Sequence, residues 1–282
     1  GVVEIYSGNM RSDQVRRVAL ELPTNTRKRF VIPMFASGAR FFQWNARLVD
    51  ERGRVQAERQ NLQPTTLSWE GILLGALPRS FAGLPVLPDI RQNRPDLKPR
   101  VARLQVEQFP DNPIALEGLD ALYLNSERAL AMSVNQVAAL LAWVQGGGHL
   151  IVGVEQLVDI TSTPWLQQML PVDLNDMTNV TIDDDAQQWL RREDQPSARF
   201  RTSSMQMRRR QGFYGGAGSI NLAVDPNFDQ AQMPVATGTL RGGNVLLSAQ
   251  GKPLGGEARR GRGQVTLLTF SPEREPFRSW KN

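Results

Sequence analysis

Leu119-Asp120-Ala121-Leu122-Tyr123-Leu124 and His149-Leu150-Ile151-Val152-Gly153-Val154 are two short apolar runs whose interval decides the fold. Each has the length and composition of a strand covered on both faces. Between them, Ser133 is placed to cap a helix in which Val134, Val137, Ala138, Leu141 and Val144 fall at helical spacing, and Gly146-Gly147-Gly148 stops it. A strand, helix, strand unit implies a parallel crossover. Functional loops in such a sheet follow the carboxyl ends of the strands, here near Asn125 to Arg128 and near Glu155.

Working outward, Ile72-Leu73-Leu74-Gly75-Ala76-Leu77 predicts another buried strand, and Val101, Leu104 and Val106 a further one beyond a proline-rich excursion (Pro85, Pro88, Pro95, Pro99). Downstream, a helix is expected around Trp165 to Leu170. The polar stretch from Asp173 to Gly218 reads as long loops or an insertion. Val245-Leu246-Leu247 and Val265-Thr266-Leu267-Leu268-Thr269-Phe270 predict strands separated by a glycine-rich turn region with Gly251, Gly255, Gly256, Gly261 and Gly263. Before residue 70, Val18, Leu20 and Leu22, the run Phe30 to Phe35, and Phe42, Trp44, Ala46 and Leu48 predict short strands buried on one face, with a turn at Asp50-Glu51-Arg52-Gly53. The expected organisation is therefore a β-sandwich-like unit over 1–68 and an α/β unit over 69–282. The first could equally be an antiparallel sheet leaning on the second.

Composition excludes more chemistry than it suggests. The chain of 282 residues has no cysteine and a single histidine, His149. Disulfides, thiolate nucleophiles, cysteine-based metal sites and multi-histidine sites are ruled out, and a Ser-His pair has almost no material. His149, opening a strand after three glycines, reads as a packing or hydrogen-bonding residue. Asp183-Asp184-Asp185 lacks the spaced ligands of a calcium loop, so neither a metal nor a cofactor is expected. Gly215, Gly216 and Gly218 lack both the preceding strand and the following lysine of a phosphate loop.

The net charge is +5, and only Lys28, Lys98, Lys252 and Lys281 among the 33 basic residues are lysines. Spread over this length it is a weak field, which argues against nucleic acid as a partner. The densest basic cluster is Arg199, Arg201, Arg208, Arg209 and Arg210 beside Phe200, Phe213 and Tyr214. Arg208, Arg209 and Arg210 are the candidate anion-binding residues, although Met205, Gln206, Met207 and Gly212 interrupt any compact platform.

Over roughly residues 70 to 275 the chain resembles the class I glutamine amidotransferase-like fold. The residues that carry the resemblance are the unit quoted above, the strand end Gly153-Val154-Glu155-Gln156-Leu157 and the late segment Phe270-Ser271-Pro272-Glu273. In that family a strand ends in a Gly-x-Cys-x-Gly nucleophile elbow, and a Phe-His-Pro-Glu stretch supplies the base and its orienting carboxylate. On those motifs Glu155 stands at the nucleophile position, Leu157 at the second glycine, Ser271 at the base, and Glu273 keeps the carboxylate. The resemblance thus implies a three-layer flavodoxin-like, amidotransferase-like parallel sheet with a degenerate triad and no catalysis. It narrows to domains of large bacterial membrane-anchored proteins, through Leu141 to Val152, Gly251-Lys252-Pro253-Leu254 and Gly261-Arg262-Gly263-Gln264-Val265. That implies a periplasmic or extracellular position, protein partners within the cell envelope, and a membrane anchor in flanking segments. No run here approaches the roughly 18 apolar residues of a membrane span.

Two alternatives stand beside this non-catalytic interaction or ligand-binding domain. An unusual hydrolase could use Glu155 and Glu273 if they converge within about 5 to 10 Å and one has a raised pKa. The segment 199–210 could instead bind anions or nucleic acid, with steep salt dependence.

Overall fold

The computed structural model describes residues 1–7, 15–23, 25–28, 32, 43–62, 71–80, 99–182 and 231–279. The quoted unit forms as read, with β7 (Ala121–Asn125), the short α1 (Ser126–Ala129), α2 (Val134–Gly146) and β8 (His149–Gly153) in succession. Ser133 and Gln136 cap α2 reciprocally: the Gln136 amide donates to Ser133 Oγ at 3.4 Å and the Ser133 amide to Gln136 Oε1 at 2.9 Å. Gly147, at φ 135°, takes the backbone past the helix end where a side chain would be strained. The buried face of α2 is Ala139, Leu140, Trp143 and Val144, while Val134 is 84% exposed, so the apolar stripe is rotated from the expected one.

Strand pairing extends the unit into a mixed α/β layer of seven strands, ordered β11-β12-β13-β8-β7-β5-β6. Here β5 is Leu73–Leu77, β6 Arg100–Arg103, β11 Asn244–Ala249, β12 Lys252–Arg260 and β13 Gly263–Leu268. The run from β13 to β6 is parallel, and β11 and β12 are antiparallel additions. Because β6 lies on one side of β5 and β7 on the other, the direction of winding reverses between β5 and β7. Their carboxyl ends flank the crevice where such sheets gather ligand-binding loops.

Leu122, Leu124, Leu150, Val152, Val265 and Leu267 from the central strands are completely buried, in one core with Leu140 and Val144 of α2. Leu166 of α4 (Pro164–Met169) and Ile160 of α3 (Leu157–Thr161) join that core. A second cluster places Phe270 against Phe277, ring centroids 4.5 Å apart, with Leu254, Val235 and Val180.

Three readings of the α/β part are corrected. Residues 172–181 are a ten-residue strand, β9 (Val172–Thr181), paired antiparallel with β10 (Gln232–Leu240), where loops were expected. Val172, Leu174 and Val180 are buried there, and hydrogen bonding to a distant partner compensates for the polar residues between them. The glycine-rich region after residue 251 is the nine-residue β12, held by β11 on one side and β13 on the other. Val106 lies in a 3-10 turn (Val106–Gln108) beyond the end of β6.

The amino-terminal strands β1 (Val2–Ser7), β2 (Val15–Ala19), β3 (Trp44–Val49) and β4 (Val55–Leu62) form one antiparallel sheet, ordered β2-β1-β3-β4. Of the two arrangements expected for this segment, the described residues form one antiparallel sheet. On it Glu4, buried at 7% exposure, lies opposite Arg17 and Arg47 in register and bonds both, at 2.8 and 2.6 Å. Arg47 also stacks over Tyr6, whose hydroxyl donates to Glu58 at 2.7 Å. One face is therefore a cross-strand polar ladder rather than half of an oily core. All six residues of β3 are half-buried and Leu22 is 44% exposed, so the period-two burial read from Trp44, Ala46 and Leu48 and from Leu22 does not occur. The expected boundary at 68/69 lies outside the described residues, as do Phe30, Phe35 and Phe42.

Candidate functional site

Four strand ends converge on two buried carboxylates. After β8 the chain runs Val154-Glu155 into α3, after β13 it runs Phe270-Ser271-Pro272-Glu273, and Glu155 and Glu273 are 3% and 7% exposed. Burying a carboxylate is costly unless it is paired, and each is fully engaged. Glu155 Oε1 accepts from Arg79 at 2.7 Å and from Arg274 Nε at 2.5 Å. Arg79 follows β5, and its Nε also reaches Glu127 at 2.9 Å. Glu273 accepts from the backbone amides of Arg79 and Ser80 at 2.9 and 3.3 Å and from the Tyr123 hydroxyl at 3.1 Å. Asn125, wholly buried at the end of β7, joins the two: its Nδ2 is 3.4 Å from Glu155 Oε2 and 2.8 Å from Glu273 Oε1.

A second set of bonds holds the backbone beneath Glu155. The Glu155 amide donates to Ser126 Oγ at 2.8 Å, and Ser126 donates to Asp159 at 2.6 Å. Asp159 also accepts from the Gln156 amide at 3.1 Å. These contacts tie the turn after β8 to the one after β7. The non-glycine residues with positive φ among those described are Asn25, Asn61 and Gln250, so Glu155 does not take the strained turn of a nucleophile elbow. With that geometry, Leu157 enters α3 where the motif would need glycine.

Burial pushes the Glu155 carboxyl up, but hydrogen bonds from Ser271, Arg274 and Asn125 outweigh it and hold the group below its ordinary value of 4.5. It is a carboxylate at neutral pH and has no proton to donate. Ser271 also accepts the Glu273 amide at 3.3 Å. Burial beside Glu273 pushes the Tyr123 hydroxyl well above its ordinary range. Asn125 brings the two carboxylates into one polar site, and Glu155 is shifted in the direction opposite to the raised pKa the hydrolase reading asks of one of them.

His149 is half-buried with Nε2 2.8 Å from Thr266 Oγ1, and burial, opposed by Glu257, lowers its pKa. Asp183-Asp184-Asp185, Arg199, Arg201, Arg208, Arg209, Arg210 and Gly215 to Gly218 lie outside the described residues. Residue-type reasoning missed Arg79, Tyr123, Ser126, Asp159 and Arg274. Tyr123 and Asn125 left a signal, as polar residues in and at the end of an otherwise apolar strand. Arg79 left none, being 76 residues from its partner.

No protein-family model matches the chain, and no curated protein matches it in sequence. Among solved structures it is similar to cytoplasmic protein STM1381 from Salmonella typhimurium LT2, at 14% identity over 75% of this chain and 94% of that one, TM-score 0.42. It is also similar to cytoplasmic protein STM3548 from Salmonella typhimurium, at 11% identity over 71% and 87%, TM-score 0.42. For exo-beta-1,4-mannosidase Op5Man5 from Opitutaceae bacterium strain TAV5 the figures are 13% identity and TM-score 0.39, over 72% of this chain and 31% of that one. Likenesses this distant say nothing of activity.

Proposed function

We propose that this chain is a non-catalytic interaction or ligand-binding domain of a larger cell-envelope protein, with an amidotransferase-like site whose catalytic residues have become a structural ion-pair hub. The observation that carries this reading is the state of Glu155: ionised, buried, and bonded by two guanidinium groups on one oxygen. A nucleophile must be free to attack and an acid must hold a proton, and Glu155 meets neither requirement. The order of the parallel strands, with β5 first, β6 on one side and β7, β8 and β13 on the other, matches the flavodoxin-like 2-1-3-4-5 order and supports a three-layer arrangement.

The test is turnover. Ammonia release from glutamine and hydrolysis of chromogenic esters and glycosides are expected to stay at the uncatalysed rate for the native chain. Catalysis that Glu155→Gln abolishes overturns the reading and supports the hydrolase. One observation favours that second reading: Asn125 bonds both carboxylates, so Glu155 and Glu273 share a polar site. The envelope location rests on the resemblance, and hydrophobic spans of roughly 20 residues in the flanking coding sequence would support it.

A further inference from the structure

The edge of the seven-stranded sheet opposite the hub carries a cluster of arginines. There β12 and β13 meet in the hairpin Arg259-Arg260-Gly261-Arg262-Gly263, beside the start of β8, whereas Glu155 and Glu273 follow the other ends of β8 and β13. The hairpin is seated against the end of α2: the Arg262 amide donates to the Gln145 carbonyl at 3.0 Å, and a Cβ on Gly263 would collide with the Val144 carbonyl oxygen. Arg241 joins the same corner, because its amide donates to the Pro171 carbonyl at 2.8 Å while Arg260 donates to the neighbouring Leu170 carbonyl at 3.0 Å. Arg241, Arg259 and Arg262 are exposed. Half-buried Arg260 bonds the carbonyls of Leu170 and Arg259, partners that leave its charge in place. Among the described residues the carboxylates at this edge are Asp173, 3.3 Å from Arg241, and Glu257, which accepts from Gln264 at 2.6 Å. Four guanidinium groups therefore stand against two carboxylates, and the surplus is positive. Two apolar side chains share the edge: Leu240, directly before Arg241, is 42% exposed, and Val245, next to the Asn244 that pairs with Glu257, is 47% exposed.

From this juxtaposition we infer that the edge docks on a membrane surface containing anionic lipid, with the arginines on the headgroup phosphates and Leu240 and Val245 at the boundary of the apolar layer. Positive charge alone would suit any polyanion. The exposed apolar pair decides among them, because a nucleic-acid backbone or a run of acidic residues offers charge without an apolar layer, whereas the headgroup region of a bilayer takes both kinds of side chain. Guanidinium groups suit the phosphate oxygens that such a surface presents. The inference goes beyond the reading of the hub, which lies at the opposite edge, and stands or falls separately from it.

Co-sedimentation with lipid vesicles tests it, using phosphatidylcholine alone and an equal mixture of phosphatidylcholine and phosphatidylglycerol. The native chain is expected to partition onto the mixed vesicles only, and to be released as salt screens the charges. Changing Arg259 and Arg262 together to glutamine alters two exposed side chains, so the melting temperature should hold while partition falls about thirtyfold. Leu240→Asn should weaken partition about fivefold, an effect that a purely electrostatic contact would not show. A third variant, with Arg208, Arg209 and Arg210 changed to glutamine, should bind as the native chain does. Equal binding to both vesicles, native partition in the Arg259 and Arg262 variant or in Leu240→Asn, or a loss confined to the third variant overturns the inference. Tighter binding to a single-stranded oligonucleotide or to polyglutamate, compared at equal concentration of charge, overturns it as well.

Discussion

Replacing Glu155 by glutamine keeps the shape of the side chain and removes its charge, which isolates what the ion pairs contribute. A charge-assisted hydrogen bond contributes about 1.5–3 kcal/mol, and breaking a fully buried pair costs about 3–5 kcal/mol because the survivor is stranded. Here the survivors are Arg79 and Arg274, with side chains 47% and 41% exposed, and water can solvate both once Glu155 is neutral. Discounting for that screening leaves a loss of about 2 kcal/mol, or about 5 °C in melting temperature for a chain of this size. The pH dependence adds a signature that packing damage would not show. Since the folded-state pKa of Glu155 lies below 4.5, the contribution is fully present above that ordinary value and disappears as pH falls through the folded value. Calorimetric melting of both proteins from neutral to acid pH should show a constant gap that closes below about pH 4.5. An unchanged melting temperature, or a gap independent of pH, would refute the assignment of Glu155 as an ionised hub.

His149, the only histidine, should titrate in proton NMR with a midpoint below 6.5. Its lowered pKa means that its stabilising contribution is present above pH 6.5 and lost as pH falls through the folded value; a midpoint at or above 6.5 contradicts its burial beside Thr266. Gly148→Ala would drive a methyl group into the indole ring of Trp143 and should cost about 1–3 kcal/mol in a urea titration; an unshifted midpoint would mean that α2 and β8 do not pack this closely.

Local patterns reveal what local bonds determine. Ser133, the glycine stop at Gly147, and the runs of β7 and β8 could be placed from sequence because cap, stop and burial each act within a few residues. The strands β9 and β12 could not. In β9, Asp173, Asn175 and Asp176 interrupt the apolar pattern, and the strand is held by β10, whose pairing residues lie 51 to 68 positions downstream. In β12, Gly255 and Gly256 look like turn residues, yet they pair with a strand on each side, and a Cβ added at either would meet only ordinary contact distances. The candidate site divides in the same way. Glu155 and Glu273 could be found because each ends a strand beside a short motif, and the topology then brought them together. Arg79 comes from another loop, and the reversal of winding between β5 and β7 that makes it a neighbour of both is a property of the whole sheet.

The bond from the Arg79 amide to Glu273 joins residues 194 positions apart. A chain emerging amino-terminus first would expose β5, β7 and β8 long before Glu273 was made, with the amides of Arg79 and Ser80 lacking their acceptor. Completion of this corner therefore waits until Glu273, 194 residues after Arg79, has been made. A truncation just upstream of Phe270 would keep the central strands and lose the residue that closes them together.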